Sequence, residues 1–450
     1  MPGMSEKRLS FGTKLTYGIG DVASNIFIVT TGMYLLFFLT DTLGVNPALA
    51  GMALLFPKLW DVVSDPMMGW ISDRTRSRFG RRRPYLLFGA VPFGVSFIVL
   101  FLAPGYESEL LRAVHVALLF ALGCTAFTVI NVPYSSMVAE MTADYNERIS
   151  LTSFRMIFAS VGALAAGALV TPLVALGGGG ASGYRFMSLI YAAVIVATCL
   201  ICFWGTRDAP VSAQREVMPP FGEQVRIAFR NTPFVMLVLS YFFQALAIGV
   251  MMAGFVYYVK YVMALPETAM NVVYPLFLVT AIVFIPVWVR IGARLGKIRA
   301  YRIGLALFCL MIASLFLTPT STPVVFYIQI LILGVGFSSF QLFPFSMLPD
   351  TIEYDQMQSG LRREGVFSGM WSAGQKIAYS LGPVIVGFAL DRAGYSAGGI
   401  QPASVGFGVR VVFCLFPAVV VLLSFIPFAR YDLTRERFEE IKRRISKSPD

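Results

Sequence analysis

The sequence predicts an all-α membrane protein with twelve transmembrane helices in two pseudo-symmetric six-helix halves. Three observations carry this expectation. Of the 450 residues 57% are hydrophobic and only 14% charged, with mean hydropathy +0.71, whereas a soluble domain carries about 25% charged residues. The apolar residues are gathered into segments near the roughly 20 residues that span a bilayer, where every backbone polar group must be satisfied within the segment. The second half of the chain also echoes the first.

In chain order the apolar segments run over 18–40, 48–72, 85–104, 112–138, 150–176, 184–205, 233–262, 268–292, 300–318, 323–348, 365–390 and 407–429. An even number of spans places both termini on one side. The cytoplasmic side is expected, because basic residues are retained there. The loops near 74–83, 148, 207–230, 290–302 and 362–363, with both termini, hold 28 of the 36 Lys and Arg. The opposite loops hold Arg112, Arg185, Arg392 and Arg410, and Lys58, Arg155, Lys260 and Lys376 fall within spans. The net charge of +11 therefore reads as membrane orientation and not as nucleic-acid binding. Lys7, Arg8 and Lys14 make the start too polar for a cleavable signal. The five cysteines all lie in apolar segments and read as packing residues, Cys199 and Cys202 included.

The longest polar stretch between spans, Asp208 to Glu223 with Pro210, Pro219 and Pro220, divides six helices from six. The expected organisation is an N-terminal bundle over 1–207, a cytoplasmic central loop over 208–230, a C-terminal bundle over 231–430 and a cytoplasmic tail over 431–450. The fourth span ends Val132-Pro-Tyr-Ser-Ser-Met-Val-Ala-Glu140 and the tenth Phe343-Pro-Phe-Ser-Met-Leu-Pro-Asp350, 211 residues on. Gly32-Met-Tyr-Leu-Leu-Phe-Phe and Gly254-Phe-Val-Tyr-Tyr-Val-Lys echo at 222. Two related six-helix halves around a central cavity suit alternating-access transport of the major facilitator type.

The second span carries Lys58-Leu-Trp-Asp61-Val-Val-Ser-Asp65-Pro-Met-Met-Gly69. Asp61 and Asp65, four apart, share a helix face with Lys58 one turn away. Charges in hydrocarbon persist mainly where they bind ions, relay protons or pair. The two carboxylates suit a small coupling cation, Na⁺ or H⁺, since mutual repulsion raises one carboxyl's affinity for a proton. The alternative is a structural ion pair with Lys58 or Arg155. Between the second and third spans, Asp73, Arg74 and Gly80-Arg-Arg-Arg-Pro84, with Arg82 central, read as a gate that locks helix ends together. Asp350, Glu353, Asp355, Arg362, Arg363 and Glu364 read as its counterpart in the second half. Asn25, Thr128, Asn131, Arg155, Gln341 and Lys376 lie among apolar neighbours. Singly each suits a helix-packing hydrogen bond. Together, with Arg155 and Lys376 as cations lacking an evident partner, they suit a polar or anionic ligand group. The single histidine, His115, reads as interfacial, which argues against a histidine proton relay.

Tyr17-Gly-Ile-Gly20-Asp21, Trp60-Asp61 with Ser64-Asp65-Pro66, Asp73-Arg74 with Gly80-Arg-Arg-Arg-Pro84, Asn131-Val-Pro-Tyr134, the Arg155 region, and Arg363-Glu364-Gly365 followed by Gln375-Lys376 resemble the glycoside–pentoside–hexuronide:cation symporters over essentially the whole chain. The resemblance implies that Asp61 and Asp65 bind the coupling Na⁺ or H⁺, with Ser64, Thr128 and Asn131 nearby. It also implies that Arg155 faces substrate and that Lys376 stands close to both sites. Melibiose permease, a member of that family, has aspartates where this chain has Asn25 and Asn131, and aromatic residues in place of Ser135 and Gln341. The cation machinery therefore carries over better than the sugar grip. The expectation is a monomeric plasma-membrane symporter, in a bacterial inner membrane, with no cofactor beyond the coupling ion and no nucleic-acid partner. Its cargo is a sugar, glycoside or uronate. An amphiphile such as a lysophospholipid is the alternative cargo, and a non-transporting receptor or scaffold the alternative class. No nucleophile–base or metal constellation suggests an enzyme.

Overall fold

A computed structural model describes residues 9–142, 144–209, 221–359, 363–398, 401–433 and 437. Pro210, Pro219, Pro220, Arg362 and most of the expected tail lie outside them. The chain splits into two compact units, Met1–Glu216 with Ser396–Gly399, and Val217–Tyr395 with Ile400–Asp450. All regular structure among the described residues is helical. Among the described residues ten helices are long and apolar enough to cross a membrane.

The first unit contains α1 (Phe11–Phe37, continued by a π-turn over Phe38–Thr42), α2 (Pro47–Arg74), α3 (Arg83–Leu100), α4 (Glu109–Met141), α5 (Tyr145–Ala168), α6 (Val170–Leu176) and α7 (Gly180–Gly205). Side chains start these helices: Ser10, Asn46, Ser108 and Asp144 each accept from a backbone N–H of the first turn. The segment expected as one span over 150–176 is broken between α5 and α6. Pro172 explains the break, since it offers no N–H to the Ala168 carbonyl and its ring collides with that carbonyl. α2, at 28 residues, is long enough to span, but Lys58, Asp61, Asp65, Asp73 and Arg74 make it less apolar. α1 packs on α5 and α7, α2 on α4, and α3 on α4 and α7. The α1–α5 contact is backbone-close: a Cβ on Gly18 would lie 2.9 Å from the Phe154 backbone, and one on Gly162 2.9 Å from Val22.

The second unit contains α8 (Phe221–Arg230), α9 (Thr232–Tyr257, with a π-turn over Tyr258–Val262), α10 (Met270–Leu295), α11 (Lys297–Ser314), α12 (Pro323–Ser359), α13 (Glu364–Arg392), α14 (Ala403–Arg410) and, after a π-turn over Val411–Leu415, α15 (Phe416–Ala429). α9 packs on α13 and α15, α10 on α12, and α11 on α12 and α15. This repeats the contact pattern of the first unit. The sequence reads 208–230 as a loop, yet its last part is α8, docked through Ala228 on Phe234, Ile352 and Phe367. Hydropathy over a span-length window does not register a ten-residue amphipathic helix. α12 likewise runs eleven residues past the expected end at 348, because the hydropathy signal stops where its polar tail begins.

The repeat extends to backbone detail. The π-turns begin at Phe38 and Tyr258, 220 residues apart. Each closes with the same pair of hydrogen bonds: Leu43 N–H to Phe38 O and Val45 N–H to Leu39 O, then Met263 N–H to Tyr258 O and Leu265 N–H to Val259 O. Each cap needs a left-handed residue, supplied by Gly44 (φ +63°) in one unit and by Ala264 (φ +52°) in the other.

Candidate transport site

In the first unit α4 organises the site. Thr125, Thr128, Asn131 and Ser135 recur at three- and four-residue spacing, drawing a polar stripe down one face of an apolar helix. Thr125 Oγ1 accepts from Trp60 Nε1 at 3.1 Å. Thr128 Oγ1 donates to Asp65 Oδ1 at 2.9 Å and accepts from Ser64 Oγ at 3.4 Å. One turn on, Asn131 Oδ1 accepts from Ser24 Oγ of α1 at 3.3 Å, and Ser135 Oγ accepts from Arg155 Nη2 of α5 at 3.3 Å. The stripe therefore joins α2, which carries the carboxylates, to α1 and α5. Asp61 (3% exposed), Ser64 and Thr128 are buried. Oxygen donors dominate this corner, a chemistry that fits a hard monovalent cation.

Arg155 is not the partnerless cation that the sequence suggests. Its Nε and Nη2 donate to the two carboxylate oxygens of Asp21, at 2.7 and 3.3 Å. The side chains of the pair are only 16% and 6% exposed. The guanidinium also lies over the Tyr134 ring, 4.8 Å from its centroid. That ring is fixed in turn, because Tyr17 Oη donates to Tyr134 O (2.9 Å) and Tyr134 Oη to Tyr17 O (2.8 Å). Lys58 holds its ammonium over Phe27 and Phe120, 5.7 and 5.2 Å from the ring centroids. Arg155 is thus given to Asp21, and Lys58 to the rings of Phe27 and Phe120. Lys376 in the second unit is not without a partner either. Asn25 uses its Nδ2 to bond the Asp21 carbonyl at 3.0 Å. Asp21 is the residue that sequence reasoning missed. It stands in the Tyr17–Asp21 motif, but its partner lies 134 residues away, and no local spacing reveals that.

The gate residues gather around Arg82 at the junction of α2, α3 and α4. Its Nη1 and Nη2 donate to Ser72 Oγ and Asp73 Oδ1, and its Nε to Glu140 Oε1 at 3.0 Å. Arg81 also reaches Glu140, at 2.9 Å. Arg74 is not part of this cluster: it lies on the Trp70 ring, 3.9 Å from the centroid. In the second unit Lys297 Nζ binds Asp350 Oδ2 at 2.6 Å, and Arg363 Nη1 stands 3.8 Å from Asp355 Oδ2. Glu353 joins neither pair, and Glu364 opens α13. The two echoed Pro–aromatic–Ser motifs thus end on acids with the same task. Glu140 holds arginines that lead into α3, and Asp350 holds the lysine that opens α11.

Gln341 and Lys376 belong to the second unit, on α12 and α13. Phe340 and Phe345, which flank Gln341, and Trp371, five residues before Lys376, form an aromatic cluster with Tyr241 of α9, with Tyr241 and Trp371 stacked at 4.1 Å. Gln375 Nε2 donates to Tyr241 Oη at 2.7 Å. Sequence reasoning did not single out these aromatics, since phenylalanine is abundant throughout the chain.

A family model described as MFS/sugar transport protein matches residues 16–435. The chain belongs to this family. It is accordingly a multi-pass membrane transporter and not an enzyme. It is 30% identical over 448 residues to the putative glycoside/cation symporter YagG of Escherichia coli (strain K12), covering 98% of this chain and 96% of that protein. It is 25% identical to the sodium-dependent lysophosphatidylcholine symporter 1-A of Danio rerio, covering 98% and 89%. Among solved structures, a bacterial homolog of the human lysosomal transporter Spinster, inward-facing and unoccupied, superposes with TM-score 0.69 at 15% identity over 98% of both chains. That likeness speaks for the fold.

Proposed function

We propose that this transporter couples the entry of a cation, Na⁺ or H⁺, to the import of a small polar solute, a sugar, glycoside or uronate, by alternating access. The observation that carries the proposal is the α4 stripe. A cation held by Asp61 and Asp65, with Ser64, Thr128 and Asn131 at hand, neutralises charge on α2. Thr128 and Asn131 pass the resulting shift along α4 to Ser135 and Arg155. Asn25, Asn131, Ser135 and Arg155 in the first unit and Gln341 and Lys376 in the second read the solute. Glu140, Arg82 and Asp73, with Asp350 and Lys297, hold helix ends together in one conformation and release them in the other.

The same reading has twelve spans in two pseudo-symmetric halves, counting α2 and α13. The repeated contact pattern and the repeated π-turn caps support it. Both termini and the 208–230 connection lie in the cytoplasm, as the basic residues favour, and the protein works as a monomer in a bacterial inner membrane. The likeness to a lysophosphatidylcholine symporter supports an amphiphile as the second choice of cargo. Thermal stabilisation against sugars, uronates and lysolipids, with and without Na⁺ at two pH values, decides between them, because a ligand of the native state raises its melting temperature. A glycoside shift that grows with Na⁺ supports sodium–sugar symport. Shifts with lysolipids alone move the cargo, and gradient-driven uptake that survives in Asp61→Cys and Asp65→Cys removes the cation assignment.

A further inference from the structure

The second unit contains a cavity of ≈ 760 Å³ between α8, the end of α12 and the start of α13, remote in sequence from every residue assigned to the cation. Small-ligand sites run from about 300 to 1,000 Å³. Arg226 and Arg230 line it from α8, four residues apart and so on one helix face. That face is fixed and not free to wander, because Ala228 (1% exposed) anchors the helix on Phe234, Ile352 and Phe367, with Ile227 packed alongside. Arg363 lines the cavity as the N-cap residue of the 29-residue α13, so the positive end of a long helix stands at its rim. Gln358 and Ser359 add neutral donors.

The charge in this cavity is not balanced. Among the described residues that line it, two carboxylates, Glu223 and Asp355, face three guanidinium groups. Asp355 is engaged by Arg363 at 3.8 Å and by Ser359 Oγ at 3.5 Å. Among the described residues neither Arg226 nor Arg230 has an ion-pair partner. Guanidinium forks match phosphate oxygens bidentately, more so than a point-charge ammonium does.

We propose that this cavity is a binding site for a phosphate-bearing anion, held by Arg226, Arg230 and Arg363. The bound group bridges α8 to Arg363 at the start of α13. Both a soluble phosphate ester and an anionic lipid headgroup present this chemistry.

The full-length protein, purified in detergent, is titrated with inorganic phosphate against chloride at matched ionic strength while thermal unfolding is followed. Parallel samples are reconstituted in phosphatidylcholine nanodiscs with and without phosphatidylglycerol. R226Q/R230Q is the test variant, and R290Q/R294Q, which removes two exposed charges elsewhere, is the control. A saturable rise in Tm with phosphate, with half-saturation moved about tenfold or more in R226Q/R230Q and unmoved in R290Q/R294Q, supports a soluble phosphate ester. A rise confined to phosphatidylglycerol discs, lost in the same variant, supports the site with a lipid as its source. Equal responses to phosphate and chloride without a phosphatidylglycerol effect overturn the proposal. So does a response that survives R226Q/R230Q, or one that R290Q/R294Q abolishes as well.

Discussion

Replacing Asp21 by asparagine keeps the shape of the side chain and removes the charge facing Arg155. The pair is 6% and 16% exposed, and the guanidinium is bonded at 2.7 and 3.3 Å. Breaking a buried pair by removing one partner costs about 3–5 kcal/mol, because the surviving charge stays in a medium that solvates it poorly. Here the lower end applies, about 3 kcal/mol, since Arg155 keeps its bond to Ser135 and its place over the Tyr134 ring. Neutralising both ends in Asp21→Asn/Arg155→Gln removes the stranded charge. The double variant is therefore expected to be more stable than Asp21→Asn alone. The assay is a double-mutant cycle on unfolding free energies, measured by denaturant titration of the purified protein in detergent micelles. A coupling energy of about 2 kcal/mol or more is expected. A coupling within about 0.5 kcal/mol of zero, with Asp21→Asn as stable as the double variant, would falsify the claim that the two residues act as one unit.

Four further outcomes are expected. Thr128→Val removes a hydrogen bond to the Asp65 carboxylate, worth about 1.5–3 kcal/mol; if the proposed site binds Na⁺, the Na⁺ concentration for half-maximal stabilisation should shift by about tenfold, with the fold intact by size exclusion. Ala264→Gly relieves a non-glycine residue at φ +52° and should stabilise the protein by about 1 kcal/mol, read as a raised Tm; no rise means the cap carries no strain. Gly382→Ala places a Cβ 2.3 Å from the Gly249 backbone and should lower stability by about 1–3 kcal/mol, more than alanine at the open Gly369. Arg82→Gln should slow uptake in proteoliposomes about tenfold or more while solute binding, followed by thermal shift, is kept; equal loss of both would show that Arg82 supports folding and not the gate.

The helices were legible because apolar composition and bilayer length are local properties. The break after Ala168 was not read, although Pro172 forbids the hydrogen bond that would carry the helix through. Asp61, Asp65 and Lys58 could be placed on one face of α2 from spacing alone. Spacing cannot tell which helix lies beside which. Asp21 therefore stayed inside a motif without a role, and Arg155 looked like a free cation. Glu140 was read as the end of an echo, and its hold on Arg81 and Arg82 came only with the packing of α4 against α2 and α3. Arg74, grouped with the gate by adjacency to Asp73, faces a different way, because neighbouring residues on a helix point about 100° apart.

The pairing of Asp21 with Arg155 also decides where voltage acts. Asp21, Lys58, Asp61, Asp65 and Arg155 are charged side chains carried within the helices α1, α2 and α5 of the first unit. Asp21 and Arg155 cancel, and Lys58 offsets one of the remaining two carboxylates. Under the proposed coupling, the charge left on α2 is what the cation meets, and the Asp21–Arg155 pair adds nothing to it. The membrane potential, worth about 2.3 kcal/mol per charge for each 100 mV, would then act in this unit on the cation site and not on the arginine.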